Sequence, residues 1–113
     1  MRFRARVLRG SSRFEELVTR QLDLFATDDA HLLAEALEAE ERWNGTSRDN
    51  AEEAYGDYQL VVDAIADRLL DLRETYAATL ADDSASRYRR AFNDAARRRF
   101  RRYSSLLADL EEV

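Results

Sequence analysis

The sequence predicts an all-α fold: an up-down-up antiparallel three-helix bundle of long helices, preceded by a short basic N-terminal arm or strand. Three observations carry this prediction. Ala51, Tyr55, Tyr58, Val62, Ile65, Leu69, Leu72 and Tyr76 recur at alternating spacings of four and three, and the stripe closes on Leu80, one residue past the strict repeat. That spacing holds one side of a helix against a partner along its whole length, as in coiled coils and long bundles. Two further apolar stripes of similar length flank it in the same chain. Finally, the 113 residues contain no proline and only three glycines, so few positions interrupt a helix.

The elements follow in order. Arg2, Arg4 and Arg6 alternate with Phe3, Ala5 and Val7, which is strand periodicity. Gly10-Ser11-Ser12 is the first break, and Ser12 with Glu15 forms a capping-box pattern in which each side chain takes an orphan backbone N–H. The first helix is therefore predicted from about residue 12 to residue 43. At about 100° per residue, Phe14, Val18, Phe25, Leu32, Ala36 and Trp43 fall within about 40° of one another. Helical phase thus survives Ala26-Thr27-Asp28-Asp29, where propensity alone favours a break. A kink or split near Thr27–Asp29 stays open, and a four-helix version with a true turn there is the alternative.

Asn44-Gly45 ends this element, because glycine suits the left-handed position just past a helix. Asp49 and Glu52 stand in box spacing and start a second helix predicted to run to about Ala81. Gly56 near its start costs roughly 1 kcal/mol relative to alanine. Asp82-Asp83-Ser84 is the next connection, and the third helix carries Tyr88, Phe92, Ala96, Phe100, Tyr103, Leu107 and Leu110. Its spacing contains a stutter, which relaxes supercoiling locally. Residues 1–11 form the arm, and residues 12–113 form one helical bundle domain.

Composition narrows the function classes. Cysteine is absent, which excludes disulfides and thiolate metal sites. No apolar run approaches the ~18 residues of a membrane span, and the arginines of the first ten residues leave no apolar centre for a signal peptide. A cytoplasmic protein is the expectation. All 18 basic residues are arginine, against 23 acids, a bias produced by salt adaptation or a GC-rich genome. In composition alone, the chain is similar to small helical proteins of halophilic archaea, a resemblance that implies no activity. Charge is also segregated: residues 1–13 carry +5, residues 14–83 carry −14, residues 84–103 carry +7 and the last ten carry −3.

Candidate chemistry is sparse. His31 is the single histidine, and although Asp28, Glu35 and Glu38 lie at helical spacings from it, a ferritin-like dinuclear site needs a second histidine. No serine has a histidine base in an identifiable context, and no glycine-rich phosphate loop occurs. No catalytic residue, metal ligand or cofactor site is assigned, and an enzyme is not expected. The charged faces are the better candidates. Arg87, Arg90, Arg97, Arg98 and Arg101 lie opposite the apolar stripe of the third helix, while Asp63, Asp67, Asp71 and Glu74 make a row on the outer face of the second. Arg73 and Arg99 fall inside apolar stripes instead, where an unpaired charge is costly, and are predicted to form buried ion pairs. Leu33, Leu37, Leu60 and Leu70 lie outside the main seams and suggest a second contact surface.

Residues 2 to about 43, a basic alternating segment followed by helices, resemble the ribbon-helix-helix DNA-binding family. In that family paired strands of a dimer enter the major groove, which by likeness makes Arg2, Arg4 and Arg6 the readers. Here the glycine turn expected between the helices is replaced by Ala26-Thr27-Asp28-Asp29. The sequence is therefore read as a non-catalytic helical interaction or assembly module that self-associates, with a homodimer as the expected partner state. The alternative is nucleic-acid binding through the arginine-rich arm and the arginine cluster of the last helix.

Overall fold

The computed structural model describes residues 9–103, with side chains from Arg13 onward, and the regular structure of these residues is all helical. In chain order the elements are α1 (Arg9–Asp28), α2 (Ala30–Gly45), a 3-10 turn (Arg48–Asn50), α3 (Ala51–Ala77) and α4 (Asp82–Arg99). Among the described residues four helices pack against one another, so the three-helix count gives way to the four-helix alternative, with the first helix split where the sequence left a split open. The division falls at Asp29, whose φ of −112° and ψ of 30° leave the helical region. The break is short. The Asp29 N–H still donates to the Phe25 carbonyl at 2.8 Å, and the Leu32 N–H donates to the Asp29 carbonyl at 2.9 Å. Apolar phase therefore passes through it, and Phe14, Val18, Leu22 and Phe25 of α1 are buried, as are Ala36 and Ala39 of α2.

Three boundaries differ from the sequence reading, and one of them is the end of α3, at Ala77 and not near Ala81. The first described helix already includes residues 9–11, upstream of Ser12, so the capping-box pattern does not mark its start. Glycine within a helix costs about 1 kcal/mol but does not forbid it. The last helix ends at Arg99, because Phe100 turns to φ −112°, ψ 46°, followed by a single 3-10 turn over residues 101–103. Phe100 and Tyr103 stay buried on either side of this change. The stutter in the stripe thus coincides with a change of helix type. Leu107 and Leu110 lie outside the described residues.

Ring contacts and ion pairs give the helix directions. Trp43 of α2 stacks on Tyr58 of α3 with centroids 5.4 Å apart, and Asp29 meets Arg68 at the other end, so α2 and α3 run antiparallel. Phe14 meets Tyr88 edge-on and Phe25 meets Phe100 edge-on, so α1 runs parallel to α4. Tyr76 packs on Tyr88 at one end and Tyr58 on Tyr103 at the other, so α3 and α4 run antiparallel. Val62, Ile65 and Leu69 form the middle of the α3 seam and are fully buried. Each such side chain contributes roughly 1.5–3 kcal/mol through removal from water. The consequence for function lies in what α1 does beyond the break. Before Asp29, α1 packs on α4; after it, α2 packs on α3.

Candidate functional site

The seam arginine of α3 is where polar chemistry enters the core. Arg73 is fully buried, as its phase predicts. Its Nε donates to Glu74 Oε2 at 2.8 Å, and its Nη1 donates to Asn93 Oδ1 of α4 at 2.7 Å. Arg89 of α4 closes on the same carboxylate from outside, with Nε donating to Oε2 at 2.9 Å and Nη2 to Oε1 at 2.8 Å. Glu74 therefore bridges two helices. The Arg89 hydrogen bonds, aided by Arg73 and opposed by partial burial, hold the Glu74 carboxyl down at about 2. The same contact raises the Arg89 guanidinium further. This network corrects one assignment: Glu74 belongs to the α3–α4 seam and leaves the outer acidic row to Asp63, Asp67 and Asp71, all exposed.

Arg99 corrects another. It does form an ion pair, with Nη1 2.6 Å from Asp23 Oδ1 of α1, but its side chain is 37% exposed and that of Asp23 59%. The helix ends at this residue, so the side chain reaches the rim instead of the core. Arg102 likewise reaches Glu40 of α2 at 2.9 Å. On the outer face of α4, Arg87, Arg90 and Arg98 are exposed, as is Arg101 in the 3-10 turn that follows, and Arg97 is half-buried, with Arg97 Nη2 donating to Asp94 Oδ1 at 3.0 Å. Arg97, Arg98 and Arg101 line a shallow depression with Asp94. The acids Asp82 and Asp83 in the first turn of α4 and the arginines in its last turn both suit the helix dipole. The arginine face and the acidic face are thus both present, on α4 and on α3.

An open groove between α1 and α3 was not read from the sequence. It has a volume of about 670 Å³ and is lined by apolar Leu24, Phe25, Leu72 and Tyr76 with Gln21, Thr75 and Thr79. Asp28, Asp29, Arg68 and Asp71 supply its charges. Leu24 is 56% exposed along its edge. Beside the floor, Tyr88 is fully buried, donates from its hydroxyl to Gln21 Oε1 at 2.8 Å, and is pushed up to about 12 by burial. A signal for the groove does exist in the sequence. Asp29 lies within about 20° of Val18 on the helical wheel, a carboxylate on the apolar face, and it is held by two hydrogen bonds from Arg68 at 3.3 and 3.4 Å.

Other candidates disperse. Leu60 and Leu37 are exposed, at 69% and 42%, whereas Leu33 and Leu70 pack against the core. His31 is exposed, and among the described residues no group of three or more His, Cys, Asp or Glu is placed to hold a metal ion. No helix among them is long and apolar enough to cross a membrane. Arg2, Arg4 and Arg6, the readers implied by the ribbon-helix-helix likeness, lie outside the described residues, as does the expected strand. No protein-family model matches the chain, and neither the curated proteins nor the solved structures searched contain a match to it.

Proposed function

We propose that this chain is a non-catalytic helical interaction module that self-associates as a cytoplasmic homodimer. The observation that supports the reading is the pair of oppositely charged outer faces in one small chain. Arg87, Arg90 and Arg98 are exposed on α4 with Arg101 in the turn after it, and Asp63, Asp67 and Asp71 are exposed on α3. Matched against a second copy, faces of this kind steer encounter and fix orientation more than they add affinity. The α3–α4 seam, closed by Arg73, Glu74 and Arg89, sets the spacing between them.

The arginine face also supports a second reading, nucleic-acid binding, because outward arginines on one helix track phosphates without needing any sequence code. Sedimentation of the full chain at low and high salt, paired with a DNA and RNA binding titration, separates the two. Self-association predicts a dimer, and reversing Arg90 and Arg98 to glutamate alters its salt dependence. A monomer at every concentration and salt, with nucleic-acid affinity falling steeply as salt rises, replaces the first reading with the second.

A further inference from the structure

We infer that two copies of this chain exchange α4: the turn between α3 and α4 opens into helix, and each α4 packs on α1 and α3 of the other copy. This rests on the reading that the chain self-associates, and names the segment exchanged. At that turn local sequence and tertiary structure disagree. Ala78-Thr79-Leu80-Ala81 contains no glycine, proline or asparagine, and no described residue adopts a positive φ. Alanine and leucine are strong helix formers, yet α3 stops at Ala77. Leu80 also lies within about 20° of Leu69 on the helical wheel, so a helix continued through the turn keeps it on the apolar stripe.

The reversal is weakly capped as well. Ala81 is extended, at φ −68° and ψ 159°, and no side chain caps α4 behind it. A continuous helix gives the first N–H groups of α4 carbonyl acceptors in the residues before them. What holds the hairpin is tertiary. Tyr88 meets Phe14 and Tyr76, Arg89 grips Glu74, Asn93 accepts from Arg73, and Arg99 pairs with Asp23. None of these contacts requires that α4 belong to the same chain, so a second copy offers the identical set, which makes exchange a low-cost route to a dimer. Residues 51–99 then form one helix of about 75 Å, and two such helices cross at the turn, where Ala78 and Ala81 are small. The charged outer faces of α3 and α4 take no part in the exchanged contacts and stay free to steer the encounter.

The chain has no cysteine, so Asp23→Cys with Arg99→Cys places its two thiols at an exposed contact between α1 and α4. The full chain carrying both is refolded at high concentration, and its dimer is isolated by gel filtration, treated with a short bis-maleimide and run on a denaturing gel. Exchange puts the two thiols of each contact on different chains, so a covalent dimer is expected. A product of monomer size from the dimer fraction overturns the exchange and leaves self-association standing. Ala81→Pro is the second arm: proline suits the φ of the turn but breaks a continuous helix. It is expected to raise the dimer dissociation constant by roughly a hundredfold or more while the monomer's thermal midpoint holds. Wild-type dimerisation of a folded Ala81→Pro chain also overturns the exchange. Should that variant fold poorly, the cross-link decides alone, because it leaves the turn untouched. A wild-type chain that is monomeric at every concentration overturns both readings.

Discussion

The two ends of α3 carry the same kind of stripe and meet different fates. In the first half, Tyr55, Tyr58 and Val62 face α2, with Trp43 4.6 Å from Tyr55 and 5.4 Å from Tyr58 by ring centroid. In the second half, Leu72 and Tyr76 continue the stripe, yet α1 has moved over to α4 and these side chains border a groove. Spacing within one helix therefore specifies which residues can be buried but not whether a partner arrives. The change of neighbour falls at Asp29, the residue between α1 and α2. Its side chain is 11% exposed and anchored to Arg68 just where the chain passes from α1 to α2.

Three substitutions test this contrast, beginning with the closed region. Leu69 is fully buried in the seam, so Leu69→Ala should cost about 2–5 kcal/mol in a denaturant melt. A cost near zero would mean that the seam is an interface surface and not the core.

A middle-sized effect belongs to the polar lock between α3 and α4. Glu74→Gln removes the charge that faces Arg73 and Arg89, and should cost roughly 1.5–3 kcal/mol, the range for hydrogen bonds to charged groups. The same contact sets an acid limit. The folded-state value of about 2 lies below the ordinary carboxylate value of 4.5, so its stabilisation is complete above about 4.5 and is lost as pH falls toward 2. Acid titration of the variant should lack that component, and identical acid profiles would remove Glu74 from the lock.

The smallest effect sharpens the open region. Leu24→Ala in the isolated monomer should change stability by no more than about 0.5 kcal/mol, as surface substitutions do. A cost as large as that of Leu69→Ala would show that the groove edge is already packed.

Much of the interior was legible from periodicity. Val62, Ile65 and Leu69 were read as seam, and Arg73 was read as a buried ion-paired arginine, because an apolar phase names its own members whatever their chemistry. Arg99 was misread by the same logic. It shares the phase of α4 but sits at the last helical residue, where the backbone turns at Phe100 and the side chain swings to Asp23. Apart from the carboxylate of Asp29 on an apolar face, the groove leaves no mark in the sequence, for a related reason. Leu24 and Tyr76 are far apart in sequence, and the gap between them depends on the relative placement of two helices.

By itself the sequence determined that the described chain is helical, which faces are apolar and where acids and arginines segregate, because these properties follow from spacing within about a turn of helix. Tertiary structure decided which faces meet. Glu74 became a bridge only because α4 presents Arg89 to it, and the groove beside Leu72 and Tyr76 exists because α1 packs on α4. Local periodicity is set by neighbours in the chain, whereas closure is set by contacts between residues tens of positions apart.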